Sequence, residues 1–183
     1  MTVIKLDLPH RDLLNSYVEA LKEGHYIGIQ PKATAEEIEK ICADPDAFIA
    51  SKQPEYNPDG VIETPDGTMF EKVPHEWLWL SVEGQFVGDV SLRLQLNNLL
   101  ENFGGHVGYG IRPSRQGQGW ATQMLGLTKK WAKTHHGIEP LLVTCSADNP
   151  ASESVICKNG GRLIREGDTP YGYEGGRMKF FHA

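Results

Sequence analysis

The strongest structural signal in this chain is residues 104–125, GGHVGYGIRPSRQGQGWATQML, in which an extended stretch, a glycine-rich turn and an amphipathic helix follow one another. Gly117 and Gly119 allow the backbone of the turn to approach a ligand closely, because glycine has no Cβ atom. The first turn of the predicted helix also has main-chain amides without an intrahelical acceptor. Together these features predict an anion site suited to a pyrophosphate group.

Two common phosphate-binding motifs fit this turn poorly. A Walker A loop requires Lys and then Ser or Thr after its last glycine, whereas this chain has Trp120 and Ala121 there. A Rossmann fingerprint requires a third Gly or Ala where Thr122 stands, and it opens a long series of βαβ units, yet only 61 residues follow Thr122. The first motif is excluded and the second is disfavoured.

Hydrophobic periodicity predicts an α/β chain that forms a single domain over residues 1–183, because this length supports one substantial core. The predicted order begins with a strand at 3–8, a helix from 11 that ends at 24, a helix after 34, and strands at 77–82 and 86–96 joined by a tight turn at 83–85. A strand at 105–111 and a helix at 120–134 follow, and the buried stripe of this helix is predicted to contain Ala121, Met124, Leu125, Thr128 and Ala132. The order ends with a strand at 141–145, a helix from 150 to about 158, and strands at 162–165 and 177–182. Strands and helices in this order indicate a mixed sheet.

Local end signals support two of these helices. Thr34 and Glu37 have the spacing of a capping box, and the helix that follows is expected to bury Ile38, Ile41 and Cys42. In the later helix, Asn149 is predicted to cap the free amides ahead of it. Trp77, Trp79 and Trp131 are expected in the core. Residues 51–75, which are rich in Pro and Gly, are predicted to form a long loop, either a substrate lid or simply an irregular segment.

The segment 86–96 alternates between apolar and polar residues, so its even-numbered face is expected in the core and its odd-numbered face is free to meet water. Asp89 and Arg93 share the polar face. They are assigned as acceptor-binding residues that read an ammonium or a carboxylate group. The alternative is a surface ion pair, which contributes little to stability.

The glycine-rich turn is part of a longer pattern, in which Gln116, two variable residues, Gly119, one variable residue and Ala121 follow one another. The surrounding segments are IRP at 111–113, TCSADNPAS at 144–152 and IxKNGG at 156–161. With these residues the chain resembles the GNAT acetyltransferases, most specifically over residues 77–165. GGHxGYxxRPS, TCxxDN and a preceding LRxxLN segment resemble a poorly characterised bacterial GNAT subgroup. The resemblance implies the GNAT fold, with a mixed, mostly antiparallel central sheet of about seven strands flanked by about four helices.

The resemblance also implies a site for acetyl-CoA as cosubstrate and no metal. The family holds the coenzyme pyrophosphate at this turn and at the helix terminus that follows it. An Asn after the family's fifth strand caps a helix beside the pantetheine arm, which carries over to Asn149, with a further contact at Ser152. The residues assigned to the coenzyme are Ile111, Arg112, Gln116, Gly117, Gln118, Gly119, Trp120, Ala121, Asn149, Ser152 and Lys158.

The implied reaction is direct attack of a primary amine on the acetyl thioester in a ternary complex. Main-chain amides near Ile111 are expected to orient the thioester carbonyl. Relatives often place a Glu at the position of His106, and a neutral imidazole can serve as a base near pH 7. The alternative for His106 is a hydrogen-bonded structural role.

Many relatives have a Tyr seven residues after the capping Asn as the acid that protonates the leaving thiolate, but Ile156 occupies that position here. The assigned catalytic residues are therefore His106 and Tyr109. Other substitutes for the acid are Tyr171, Tyr173, Ser146 or a water molecule, and coenzyme A also leaves well enough to need none. Cys145 and Cys157 have no His at a recognisable spacing, which disfavours a cysteine nucleophile.

Charge and apolar patterning limit the partners and the compartment. A net charge of -6 and a pI near 5.6 argue against nonspecific nucleic-acid binding. No apolar run approaches membrane-spanning length, and the N-terminus lacks the apolar core of a signal peptide. We therefore expect a cytoplasmic protein without nucleic-acid or membrane partners, and a homodimer is compatible with the resemblance. Three cysteines without ligand spacing predict neither a disulfide framework nor a zinc site.

Three functions remain after these steps. The main hypothesis is an N-acetyltransferase that acts on a small-molecule amine or on a peptide or protein amino group. The second is a noncatalytic acyl-CoA-binding regulatory module, suggested by the missing Tyr at position 156. The third is an antibiotic-modifying acetyltransferase, for which an acidic acceptor groove is expected.

Overall fold

The structure is a computed structural model that describes residues 2–27, 31–54, 60–174 and 176–183. The strands within these residues are β1 (Ile4–Asp7), β2 (Val61–Glu63), β3 (Met69–Glu71), β4 (His75–Val82), β5 (Gln85–Arg93), β6 (Val107–Ile111), β7 (Leu142–Ser146), β8 (Arg162–Asp168) and β9 (Arg177–His182). The α-helices are α1 (Leu14–Lys22), α2 (Ala35–Ala43), α3 (Pro45–Ala50), α4 (Trp120–His136) and α5 (Pro150–Lys158). Short 3-10 helices cover Arg11–Leu13 and Pro113–Arg115, and a π-helical turn covers Leu100–Gly104.

One compact unit comprises Met1–Tyr56, Glu76–Ser91 and Gly108–Met124. The four-stranded sheet has the order β1-β4-β5-β6, and β1 pairs antiparallel with β4. Glu83 and Gly84, which join β4 to β5, have φ angles of 51° and 73°. Two central residues with positive φ are what a type I′ hairpin turn requires, so the predicted tight turn is confirmed.

The core of this first unit is aromatic. Tyr17 of α1 stacks on Trp79 of β4 with ring centroids 4.5 Å apart, and it meets Phe86 of β5 edge-on at 5.0 Å. Both arrangements are favourable for aromatic pairs. The other buried side chains of this cluster come from the first helical segment, namely Leu13, Leu14, Val18, Ala20 and Leu21.

The capping box at the start of α2 is confirmed. The Thr34 hydroxyl accepts a hydrogen bond from the Glu37 amide, and the Glu37 carboxylate accepts one from the Thr34 amide. Ile38 and Ile41 are partly buried against the aromatic core. The expected burial of Cys42 is wrong, since this side chain is exposed. Only one narrow face of α2 packs against this core, and no residue of α2 is fully buried.

The other unit comprises Asn57–His75, Leu92–Val107 and Leu125–Ala183. Its three-stranded antiparallel sheet has the order β7-β9-β8, and its core contains Leu142, Met178 and Phe180. The seven strands expected for a GNAT sheet are therefore present as a four-stranded and a three-stranded sheet. The predicted apolar stripe of α4 is also confirmed for Met124, Leu125, Thr128 and Ala132, all of which are buried, whereas Ala121 is half-buried.

Two expectations about the chain between α2 and β6 are wrong. Residues 51–75 do not form a continuous loop, because β2 and β3 pair antiparallel within them, with Ile62 opposite Phe70. The odd-numbered face of β5 does not meet water either. As an inner strand of its sheet, β5 is buried from Phe86 to Leu92, including Asp89 and Ser91.

Candidate active site

The predicted phosphate turn lies between β6 and α4, as the sequence indicated. Gly117 and Gly119 have φ angles of 73° and 84°, a region that favours glycine. Apart from each glycine itself and its two chain neighbours, no atom of the described residues lies within 4 Å of the place where a Cβ would stand. The first turn of α4 contains no acidic side chain. An anion can therefore approach the backbone of this turn and the free amides at the start of the helix.

Side chains of the turn hold its backbone in place. The Gln116 side-chain amide donates to the Ile111 carbonyl at 3.1 Å, and that of Gln118 donates to the Ser114 carbonyl at 3.3 Å. The indole N–H of Trp120 donates to the Gln118 side-chain oxygen at 3.1 Å. Through these three hydrogen bonds, the two glutamine side chains stabilise the conformation of the turn.

Arg112 was assigned to the coenzyme, but its guanidinium is engaged elsewhere. Its Nε and Nη2 atoms donate to Glu23 Oε1 at 2.9 and 2.6 Å, and Nη2 also donates to Glu19 at 3.3 Å. Nη1 donates to the hydroxyl and the carbonyl of Ser16 at 3.1 and 3.4 Å. Since Arg has five N–H donors, these five contacts leave none for a phosphate. Arg115, which directly precedes Gln116, is a half-buried basic residue of the same turn.

Replacing Arg112 is expected to affect stability in a pH-dependent way. The hydrogen bond from Arg112 is the main cause that lowers the pKa of Glu23 from 4.5 to about 2. Because the folded pKa lies below the ordinary one, this stabilisation is present above pH 4.5 and is lost as the pH falls towards 2. We expect Arg112→Met to lower the free energy of unfolding by about 2 kcal/mol at pH 7, and by much less near pH 2. Urea unfolding at both pH values measures the difference.

Arg11→Met is the matched control for this prediction. Arg11 pairs with Asp46 at 2.6 Å, but both side chains are largely exposed. Exposed pairs contribute at most about 1 kcal/mol, so this variant is expected to unfold close to the wild type. Equal losses in the two variants at pH 7 would contradict the special role of Arg112.

His106 lies in the second unit, next to the start of β7. Its Nδ1 accepts a hydrogen bond from the Leu142 amide at 2.8 Å, and its own amide donates to the Leu142 carbonyl at 2.8 Å. Burial lowers the pKa of His106, and the charge of Arg93 adds to this effect. The ring is therefore neutral near pH 7. Its one lone pair points at the Leu142 amide, an arrangement that favours the structural alternative over the role of base.

Tyr109 and position 156 were considered for the acid that protonates the thiolate, and Cys145 for a nucleophile. Tyr109 is half-buried in β6. Ile156, at the position where relatives have a Tyr, is completely buried in α5. Burial raises the pKa of Cys145 to about 11, so its thiolate is scarce at neutral pH. Cys145 is therefore a poor nucleophile.

The predicted cap of α5 is confirmed. The Asn149 side-chain oxygen accepts a hydrogen bond from the Ser152 amide at 3.0 Å, and Pro150 occupies the first turn. Lys158 is the last residue of the helix and is exposed. The assignment of Asn149, Ser152 and Lys158 to the coenzyme stays a prediction.

The alternative for Asp89, a surface ion pair with Arg93, is wrong, because Asp89 is only 3% exposed. Its Oδ1 lies 2.7 Å from Nε2 of His25, which is also buried. The sequence analysis did not single out His25. Arg93 is half-buried, its Nη1 donates to the Gly104 carbonyl at 3.4 Å, and burial lowers its pKa to about 10.

The described residues lack two kinds of feature. They contain no group of three or more His, Cys, Asp or Glu side chains that could hold a metal ion. Among the same residues, no helix has both the length and the apolar character that crossing a membrane requires.

Solved structures of known proteins resemble this fold over nearly the whole chain. RimL, the ribosomal L7/L12 alpha-N-protein acetyltransferase in complex with coenzyme A, is 13% identical with a TM-score of 0.60, covering 98% of this chain and 93% of RimL. The acetyltransferase yncA from Salmonella typhimurium with acetyl-CoA is 11% identical with a TM-score of 0.56, covering 98% and 92%. A variant of the spermidine N-acetyltransferase SpeG from Vibrio cholerae is 11% identical with a TM-score of 0.58, covering 98% and 92%. At these identities the likeness concerns the fold.

The family comparison covers most of the chain. No curated protein sequence was found to match it. The family model described as an acetyltransferase (GNAT) domain matches residues 29–162, which include β4 to β7, the glycine-rich turn and α5. With a match over more than half of its length, this chain belongs to the GNAT acetyltransferase family.

Proposed function

We propose that this protein is an N-acetyltransferase that moves the acetyl group of acetyl-CoA to a primary amine by direct attack in a ternary complex. The observation that carries the proposal is the open glycine turn at Gly117 and Gly119, which leads into the start of α4. A turn of this kind binds the pyrophosphate of a coenzyme through main-chain amides and the positive end of the helix dipole. We place the activity in the cytoplasm, with a homodimer as the proposed assembly.

The proposed coenzyme contacts at the turn are mainly backbone contacts. The amides from Gly117 to Ala121 bind the pyrophosphate, while Gln116, Gln118 and Trp120 hold the turn in shape. Arg115 supplies the positive charge in place of Arg112, whose donors are occupied. Main-chain amides near Ile111 orient the thioester carbonyl. Asn149, Ser152 and Lys158 remain proposed coenzyme contacts.

The proposed acceptor is a small-molecule amine or the amino group of a peptide or protein. RimL and SpeG are described as acting on a protein α-amino group and on spermidine, so both kinds of amine occur among proteins with this fold. Arg93 is proposed to bind an acidic group of the acceptor. Tyr109 remains the proposed acid for the leaving thiolate, and a water molecule is the alternative.

The proposal is tested by binding and by turnover. Isothermal calorimetry is expected to show one site per chain for acetyl-CoA and for desacetyl coenzyme A. Thiol release from acetyl-CoA is then measured with spermidine, ethanolamine, glycinamide and a peptide with a free N-terminus. We expect at least one amine to raise thiol release about tenfold or more over the rate without amine. Absence of binding by folded protein would remove the basis of the proposal.

A noncatalytic acyl-CoA-binding module is the second candidate function. The buried Ile156 favours it, because this side chain cannot donate a proton to a thiolate. Tight acetyl-CoA binding without amine-dependent thiol release from any of the four amines would support this candidate over the enzyme.

A further inference from the structure

We propose that His25, oriented by Asp89, is the general base that receives the proton of the acceptor amine. The inference rests on the proposed N-acetyltransferase function. It assigns the base to a histidine outside the family motifs, in place of His106. Four observations within the first unit support it.

The backbone fixes His25 at the end of α1. The Gly24 amide donates to the Leu21 carbonyl at 2.9 Å, and the His25 amide donates to the Ala20 carbonyl at 3.0 Å. Gly24 has a φ angle of 87°. This pair of hydrogen bonds is a Schellman motif, which ends the helix with a defined chain direction. The imidazole is therefore attached to a rigid part of the backbone.

Asp89 fixes the orientation and the tautomer of the ring. Its Oδ1 lies 2.7 Å from His25 Nε2, and both side chains are almost completely buried. A carboxylate only accepts hydrogen bonds, so Nε2 of the neutral ring carries the proton and Nδ1 carries the lone pair. The ring also meets Phe86 edge-on at 5.3 Å. A histidine held by a carboxylate at one nitrogen is arranged to take a proton at the other.

Nδ1 of His25 is buried and has no hydrogen-bond partner among the described residues. A buried nitrogen left without a partner costs about 1–3 kcal/mol, and such atoms are rare in native proteins. The other ring nitrogen is held by Asp89 and the ring packs on Phe86, so Nδ1 is the position left for a hydrogen-bond partner that arrives with the substrate. That partner is the amine itself or one bridging water molecule.

The His25 ring lies against the strand next to the predicted thioester site. Cε1, which is bonded to both ring nitrogens, lies 3.1 Å from the place where a Cβ would stand at Gly110. Gly110 directly precedes Ile111, whose neighbouring amides are proposed to orient the thioester carbonyl. The base and the proposed acetyl position therefore adjoin the same end of β6.

The proton transfer balances without a further reactant. The acceptor ammonium gives one proton to Nδ1, and the neutral amine attacks the thioester carbon to form the N–C bond. The C–S bond breaks as the carbonyl re-forms. The proposed acid, Tyr109 or a water molecule, protonates the coenzyme A thiolate and takes up the second amine proton. The imidazolium, stabilised by the negative charge of Asp89, returns its proton to solvent.

Among the described residues, Tyr17 and Lys52 are two titratable groups whose pKa responds to the charge of Asp89. Burial raises the pKa of Tyr17, and the charge of Asp89 adds to this effect. Burial lowers the pKa of Lys52, and Asp89 opposes this effect. The Lys52 ammonium also lies 4.0 Å from the ring centroid of Trp77. Tyr17 therefore stays neutral through the working pH range, and Lys52 is the cation of these two groups that interacts with Asp89.

The test compares kcat against pH for the wild type, His25→Gln and Asp89→Asn, with acetyl-CoA and saturating amounts of the amine acetylated fastest among the four. A base must be unprotonated to accept a proton, so wild-type kcat is expected to rise as the pH is raised. His25→Gln is expected to lower kcat about 100-fold or more and to abolish this rise. Asp89→Asn keeps a hydrogen-bond acceptor but removes the charge, and it is expected to lower kcat at least about tenfold.

His10→Gln is the matched control, because His10 lies on the surface of the same unit. This substitution is expected to leave kcat unchanged. An unchanged Kd for acetyl-CoA shows that a variant is folded. If His25→Gln loses acetyl-CoA binding, the kcat and pH profile of Asp89→Asn test the proposal instead. A wild-type-like kcat and pH profile in His25→Gln would overturn this inference while leaving the acetyltransferase function standing. The inference would also be overturned if kcat lost its rise with pH in His106→Gln but kept it in His25→Gln. Absence of transfer by the wild type would overturn both.

Discussion

Gly119→Glu is expected to weaken coenzyme A binding by about 100-fold or more. The position has open space around it, so the new side chain fits without collision. It places a carboxylate where the pyrophosphate is proposed to bind, and like charges at close range repel strongly once water is displaced. The left-handed φ angle of 84° adds about 1–2 kcal/mol of local strain. Calorimetric titration with acetyl-CoA and with desacetyl coenzyme A measures both affinities.

Gly137→Glu is the control, because it reproduces the strain and the charge without touching the turn. Gly137 follows the last residue of α4, has a φ angle of 68° and also has open space at its Cβ position. It is expected to bind acetyl-CoA within about threefold of the wild type. Equal weakening in both variants would mean that net charge or helix stability, rather than the turn, governs binding. Unchanged binding in Gly119→Glu would move the pyrophosphate site away from this turn.

Local end signals were predictable because their partners lie within a few residues. Asn149 caps α5 through the amide of Ser152, and Thr34 bonds Glu37 in the same way at α2. The turn at Glu83 and Gly84 depends only on two φ angles. Residue type and spacing fix such contacts almost independently of the remaining fold.

One local signal was present and was overlooked. Residues 65–67 are Pro, Asp and Gly, a turn sequence that commonly joins two strands. In the structure Asp66 accepts hydrogen bonds from the Thr64 hydroxyl and the Thr68 amide, at 2.7 and 3.0 Å, and Gly67 has a φ angle of 85°. The strands on either side have only three residues each, too few to show a period. The turn chemistry, rather than the strand pattern, was therefore the usable evidence.

The contacts that decide the candidate site could not be predicted in this way. His25 and Asp89 are 64 residues apart, and Arg112 and Glu23 are 89 apart. Phe86 and Asp89, which strict alternation places on opposite faces of β5, both contact His25. The periodicity of an amphipathic strand assumes that one face meets water. This assumption fails for β5, an inner strand covered on both sides, and the burial of Asp89 was therefore not expected. Such pairs become visible only once the chain is folded.

Gly110→Ala is expected to cause a large loss of stability. The added Cβ would lie 2.3 Å from the Tyr26 carbonyl oxygen and 3.1 Å from His25 Cε1, so the backbone after α1 or β6 itself must move. Overpacking against backbone costs more than the usual 1–3 kcal/mol of a crowded core, and we expect about 3 kcal/mol or more. For a chain of this length that corresponds to a fall in Tm of roughly 6–12 °C. Calorimetry or circular dichroism on heating measures it.

Gly167→Ala separates this collision from the general effect of placing alanine in a strand. Gly167 lies in β8, and the nearest atom to its Cβ position is the far end of the Arg165 side chain at 4.0 Å. Neither glycine has a positive φ angle, so the unfolded chain loses similar freedom in both variants and that effect favours the folded state. Gly167→Ala is therefore expected to melt within about 2 °C of the wild type or slightly above it. If Gly110→Ala melts equally high, the segment at Tyr26 does not pack against β6 in solution, and the position of His25 beside that strand fails with it.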